Sequence, residues 1–474
     1  MHALTRTNGG EETPLWSLVL VCAAAVLLTS APNLLDPIVR HDDFPALTAN
    51  PDGYYSKTLE EGRWISYLWH LRGFVTPHWL NFSVYQILWA TYAATLAVAV
   101  LGRDAHPKHI VGLGILVAVA PPATMISLWF NTLMPGMFFV AMFGVLACYL
   151  SPKHLRYSLL VFVPLTLMSY TTYPLLLLAI CLAHKETERT FMELVKIVGT
   201  FVISFALGMI AIYSLNYWEH GVFGVVMAEW REPTNASDLA SMWANAPVLL
   251  DTAKVFFRHI SFNIDVINYF LAAALTGATL IMLRKDRMMT LFLYTGAGVG
   301  LALIILQCLK TGVVVSSRGM IFVWAFFALL LVLATRAAVE EPRHGRLMRN
   351  ATVLTTVGFM MLTGMTYTVF RDWQRDTRIM AADINSLEGP IHISGDYRAL
   401  ASHSDAGIQH LRGLYARLNY LTGRDIYLCD GIPENCPDIP EADEGGSPVR
   451  IYDTAEGPLI VLDYVEVAEA GESN

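Results

Sequence analysis

Long apolar runs separated by short polar stretches dominate the chain. They fall at about 15–33, 80–101, 110–129, 133–150, 158–169, 173–183, 197–216, 263–283, 289–309, 319–336 and 351–370, about eleven segments. Several reach the ~20 residues that a helix needs to cross a bilayer. Pro121-Pro122 and Pro135 punctuate the region 110–150, and Pro174 punctuates 157–183. Each of these regions reads as two short spans, or as one span plus a re-entrant piece. The expected fold class is a membrane all-α protein of about eleven transmembrane helices over residues 1–371. A small α/β domain is expected to follow over 372–474.

Two longer polar stretches interrupt the apolar pattern, a first loop over 34–79 and a second over 217–262. In the first, Leu59, Ile65, Leu68 and Trp69 recur near helical spacing, with Lys57, Glu60, Glu61 and Arg72 largely opposite. That pattern predicts an amphipathic helix lying at the membrane interface. In the second, AEWREPTNASDLASMWANAP carries Glu229, Arg231, Glu232 and Asp238, and reads as a lid or acceptor surface over the site, or as packing. In the tail, RDTRIMAADINSL has helical spacing, and AGIQHLRGLYARLNYLTG is an amphipathic helix ending at Gly423. PIHISGD, RDIYLCD, VRIYD and PLIVLDYVEV read as strands, and the terminal AEAGESN as disordered.

Composition agrees with the membrane class. Of 474 residues, 54% are hydrophobic and only 15% charged, where soluble proteins carry about a quarter charged residues. The segment before the first run, MHALTRTNGGEETP, has one arginine and two glutamates. It is a poor signal-peptide start, so the first run is taken as a true span. Orientation follows from lysine and arginine in the short loops GRDAHPKH, SPKHLRYS, HKETERTFMELVK, RKDR and RAAVEEPRHGRLMRN. These predict the N-terminus inside and, with eleven spans, the tail outside. The net charge of −8, with basic residues scattered over the loops, offers no stripe for nucleic acid. Cys22, Cys148, Cys181 and Cys308 lie in apolar runs and read as small buried hydrophobes. Cys429 and Cys436, in CDGIPENC, are expected to form a disulfide if the tail faces an oxidising compartment. That agrees with the orientation from charge.

Candidate chemistry concentrates in the first loop. Asp42 and Asp43 follow the first span closely, and the expected interfacial helix lies behind them. Such an arrangement suits a substrate that is part lipid and part sugar. An Asp-Asp pair at this place, then Gly53-Tyr54, then Gly62-Arg63-Trp64, resembles the polytopic glucosyltransferases that modify O-antigen in serotype conversion. YTTYPLLLLA at 170–179 resembles their short tyrosine-containing turn between spans. SSRGMIFVWAF at 316–326 resembles their arginine at the start of a late span.

The resemblance implies a GT-C architecture in the cytoplasmic membrane. A polyprenyl-phosphate-linked sugar, glucose on this resemblance, would pass with inversion to a cell-surface glycan such as O-antigen, on the outer face. An acid of the first loop, Asp42 or Asp43, would be the base. The family's acidic or tyrosine contacts in later loops are not identifiable here, so the acceptor side stays open, and the tail matches nothing in that family.

The residue types suit this chemistry. A carboxylate can take the proton of an acceptor hydroxyl. Arginine and lysine stabilise a departing phosphate, which points to Arg318 first and to Arg63 and Lys57 second. Tyr54, Tyr55, Trp64 and Trp69 offer aromatic faces to sugar rings, or form a membrane-interface belt. His41, His70 and His78 match no familiar ligand spacing, so neither metal nor cofactor is expected. No P-loop or strand-borne GxGxxG is present. The competing classes are a transporter or flippase, a polysaccharide polymerase, and a non-catalytic receptor or assembly factor. A transporter should carry ionisable residues inside its spans, and these runs are nearly free of charge.

Overall fold

The computed structural model describes residues 13–47, 51–408, 410–429, 436–438 and 447–463. The described chain is mostly helical. α1 (Leu15–Thr29) leads into a loop that holds α2 (Asp52–Glu61) and α3 (Trp64–His70). There follow α4 (His78–Leu101), α5 (Pro107–Ala118), α6 (Pro121–Ile126), α7 (Phe130–Ala147), α8 (Pro152–Leu167), α9 (Tyr173–Ala183) and α10 (Phe191–His220). The second loop holds α11 (Leu239–Ala244) and α12 (Pro247–Ile260). α13 (Asp265–Lys285), α14 (Arg287–Thr311), α15 (Ile321–Ala337) and α16 (Pro342–Thr368) complete the helical body.

Seven helical segments are long and apolar enough to cross a membrane: His78–Leu101, Pro121–Ala147, Phe191–His220, Asp265–Lys285, Arg287–Thr311, Ser317–Ala337 and Pro342–Asn385. α1, α5 and α9 are apolar but shorter. The eleven apolar runs of the sequence thus take the form of seven segments of membrane length and several shorter apolar helices. Proline explains much of the difference. Pro107, Pro121, Pro152, Pro174, Pro247 and Pro342 all stand in the first turn of a helix. There the missing N–H has no intrahelical acceptor to lose. Pro121 thus opens the segment 121–147 instead of interrupting 110–129, and α5 stops at Ala118.

α4 and α15 lie at the centre, each with 78% of its apolar window buried, whereas α10 and α13 bury only 28% and 22%. Buried polar pairs tie the central helices together, as expected where water is absent. Tyr85 and Tyr173 share a hydroxyl–hydroxyl bond of 2.8 Å, Ser127 and Tyr367 one of 2.8 Å, and Asn81 donates to Asn131 at 2.7 Å.

The expected interfacial helix is not one helix. α2 ends at Gly62, which adopts φ +69°, and α3 begins two residues later. A Cβ at Gly62 would meet Ile212 of α10 at 2.7 Å, so glycine answers both the left-handed turn and the close approach. The break swings the charged face of α2 inward, and Lys57 is buried.

In the tail, α17 (Arg371–Asn385) is followed by β1 (Ile391–Gly395), α18 (Ser402–Asp405), α19 (Leu411–Thr422), β2 (Ile426–Leu428), β3 (Val449–Thr454) and β4 (Gly457–Leu462). The strands form one sheet in the order β2-β1-β4-β3, parallel except for the β3–β4 pair. Cys429, just past β2, is joined to Cys436 by a disulfide. The last residues of PLIVLDYVEV and the terminal AEAGESN lie outside the described residues.

Candidate active site

A short 3-10 turn, His41–Ala46, carries the two aspartates and points them apart. Asp43 is fully buried. Its carboxylate accepts the backbone N–H groups of Asn131 at 2.8 Å and Thr132 at 2.9 Å. These are orphan donors of the first turn of α7, so Asp43 caps that helix from a distant loop. Burial pushes its pKa up to about 7, against the opposing hydrogen bonds from Thr132 and Asn131. Asp42 instead keeps a side-chain exposure of 16%, with His41 Nε2 at 3.4 Å and Lys57 Nζ at 3.8 Å.

Beyond Asp42 lies a buried ion cluster built from both loops. Lys57 Nζ reaches Glu60 at 3.1 Å and Glu61 at 3.5 Å. Glu61 also pairs with Arg63 and, at 2.6 Å, with Arg231 of the second loop. Burial alone would raise the Glu61 pKa. The charges of Arg63, Arg231 and Lys57 overcome that cost and pull it down to about 2. The Arg63 guanidinium lies 5.5 Å from the centre of the Tyr170 ring.

Two more arginines flank one indole. Arg318 stands 3.9 Å from the centre of the Trp129 ring, and Arg40 stands 5.6 Å from it. Burial, with the nearby charge of Arg318, lowers the Arg40 pKa to about 10. Arg40 donates to the carbonyl of Gly407 in the tail. Neither arginine forms an ion pair with a carboxylate among the described residues. Two guanidiniums on one ring, neither in a direct ion pair, suit a phosphate, which can take up their forked donors.

The four aromatic candidates divide into two pairs. Tyr54 is buried and stacks on His70 with ring centres 4.3 Å apart. Trp64 is buried and donates to Asn216 at 2.8 Å. Both rings are covered by protein. The fold places them as packing residues because Gly62 turns this face inward. Tyr55, beside Glu219 at 3.4 Å, and Trp69, beneath the Arg72 guanidinium at 4.3 Å, stay half-buried.

The tail is fastened to the first loop through Asp36. Arg417 donates to both of its carboxylate oxygens at 2.7 Å. Arg378 approaches at 2.8 Å and His78 at 3.2 Å, while Gln374 donates to the Asp36 carbonyl. Burial opposes ionisation of Asp36, but the hydrogen bonds from His78 and Arg417 hold its pKa well below the usual carboxylate range. Tyr420 closes this network on His78 at 2.6 Å.

Arg40 and Asp36 were not singled out from the sequence, and Glu61 and Arg231 were named there only as members of polar stretches, without a site role. Arg40 and Asp36 could have been found by their closeness to the Asp-Asp pair. Arg231 had no local signal, because its partner Glu61 lies far away in the chain. The three first-loop histidines are dispersed, with His70 on Tyr54 and His78 on Asp36. Among the described residues one group of metal-ligand atoms clusters, His392 with Cys429 and Cys436, and its two sulfurs are bonded to each other. No protein-family model matches the chain, and neither does any curated protein.

Proposed function

We propose that this chain is a multi-pass membrane glycosyltransferase. It moves a hexose, glucose by the family resemblance, from a polyprenyl-phosphate donor to a surface glycan at the outer face of the cytoplasmic membrane. The observation that carries the reading is a partly exposed carboxylate, Asp42, in the same first loop as Arg40, which with Arg318 flanks the Trp129 ring, neither arginine making a direct ion pair with a carboxylate among the described residues.

In this reading the acceptor hydroxyl donates to Asp42 and attacks the anomeric carbon. The bond from that carbon to the phosphate oxygen breaks, and the electron pair leaves with the polyprenyl phosphate. Asp42 keeps the proton. Arg40 and Arg318 stabilise the charge that develops on the leaving group. Asp43 holds the 3-10 turn against α7 and so positions Asp42. Glu61 pairs directly with Arg63 and Arg231, leaving the arginines beside Trp129 without a direct carboxylate contact among the described residues. A transporter reading draws less support, because the ionised cluster is built from loops and not from the interiors of the long helices.

The test uses purified protein in detergent with radiolabelled polyprenyl-phosphate glucose, and reads label passed to lipopolysaccharide or released by hydrolysis. Transfer by the wild type that is lost in Asp42→Asn, with the variant still folded, supports the reading. Transfer that survives Asp42→Asn unchanged sinks Asp42 as the base. A wild type inert with glucose, mannose and galactose donors sinks the transferase.

A further inference from the structure

The tail reaches past its anchor at Asp36 to the edge of the site. The Gly407 carbonyl accepts from Arg40. Arg412 Nη2 donates to the Gly53 carbonyl at 3.3 Å, and a Cβ built at Gly53 would lie only 2.9 Å from that nitrogen. The His410 ring centre stands 6.3 Å from that of His41, and His41 Nε2 is 3.4 Å from Asp42. A chain of contacts therefore runs from the tail to the proposed base.

This seam is open to solvent. His410 is exposed, and His41 and Arg412 are half-buried. Arg412 forms no ion pair with a carboxylate among the described residues, and its one hydrogen bond to carbonyl oxygen leaves the rest of its fork available. His410 Nδ1 accepts the Arg412 N–H at 3.0 Å at the start of α19, which leaves Nε2 of this exposed ring as its second polar atom. The N-terminal end of α19 adds partial positive charge at the same place. Next to Asp42, then, lies a strip of donor groups in which Arg412 and His410 meet no carboxylate in an ion pair among the described residues.

We propose that this seam is the acceptor subsite, and that Arg412 with His410 selects an anionic glycan, one bearing a carboxylate or a phosphate. The inference rests on the transferase reading for its context, with the anion held at Arg412 and the reacting hydroxyl directed to Asp42. Repulsion by Asp42 keeps the anion at the Arg412 end of the seam. Arg412 and His410 are positioning residues, since they touch the acceptor away from the reacting atoms.

The experiment takes the full chain in detergent and three probes of equal length: a hexuronate oligosaccharide, its carboxyl-reduced neutral counterpart, and a phosphate-bearing counterpart. Direct binding is measured by titration calorimetry, and kcat/KM by transfer. The wild type should favour at least one charged probe over the neutral one by roughly tenfold or more, the scale of one charge-assisted contact. Arg412→Ala should reduce that ratio to near one, Arg412→Lys should keep part of it, and the exposed His410→Gln should weaken it without loss of fold. The preferred charged probe tells carboxylate from phosphate. Equal binding of charged and neutral probes by the wild type, or a ratio untouched by Arg412→Ala and His410→Gln, overturns the proposal. Charge-selective binding by a wild type that transfers no sugar would uphold the seam while overturning the transferase. Transfer without charge selection would do the reverse.

Discussion

Asp43 and Glu61 lie in one loop, and both are shielded from water, yet their surroundings act on them in opposite senses. At Asp43 burial outweighs the backbone hydrogen bonds at the start of α7 and pushes the pKa up to about 7. Glu61 meets full charges from Lys57, Arg63 and Arg231 and is pulled down to about 2. The first region fastens the loop to the helical body. The second assembles side chains from two distant loops into an electrostatic wall. Asp42 sits between them, held by the first and facing the second. Adjacent aspartates in a sequence can therefore carry unrelated tasks when a 3-10 turn separates their directions.

Substitutions should separate these regions. Asp42→Asn should lower transfer by about 10²–10⁴-fold, the range of general-base catalysis, with little change in melting temperature. The anchor comes next. Asp36→Ala leaves Arg417 buried without its carboxylate, at a cost of about 3–5 kcal/mol. Faster limited proteolysis of the tail would show it, and unchanged protection would refute the anchor. Asp43→Asn keeps one acceptor but turns an amide donor toward backbone donors. It should cost about 1–2 kcal/mol, as lost helix caps do, and lower transfer less than Asp42→Asn does. Equal losses of transfer in the two variants would erase the distinction between base and cap.

The smallest effect is on pH dependence, and its sign differs between the regions. The Asp43 pKa is raised by folding, so its contribution is complete below its ordinary 3.8 and is lost as pH rises through about 7. The Glu61 pKa is depressed, so its contribution is complete above its ordinary 4.5 and is lost as pH falls through about 2. Melting temperature against pH should therefore lose its fall on approach to 7 in Asp43→Asn, and part of its acid fall in Glu61→Gln. Each single-group slope is at most about 1.4 kcal/mol per pH unit.

Much of the helical body was legible, because apolar runs of span length have few other meanings in water-free surroundings. Element boundaries were less so. Pro121 opens a helix where a break was expected, since proline is harmless in a first turn and harmful later. The tail strands were legible from short apolar runs, and the pairing of Cys429 with Cys436 from their closeness in a polar segment. The first loop misled because period alone gave one surface helix. The left-handed Gly62 cut it in two and turned Tyr54 and Trp64 into the protein. The Asp-Asp pair stood out by its position, but which aspartate faces outward depends on a tertiary bond to α7. The pairing of Arg231 with Glu61 was invisible for the same reason.

The bond between Asp36 and Arg417 also constrains how the chain threads a bilayer. Two residues in direct contact lie on the same side, so the chain between them makes an even number of crossings. All seven membrane-length segments fall between residues 36 and 417, and seven is odd. If each of them crosses, then an odd number of the shorter helices α5, α8 and α9 must cross as well. A hydrogen bond at the surface thus counts passages through the interior.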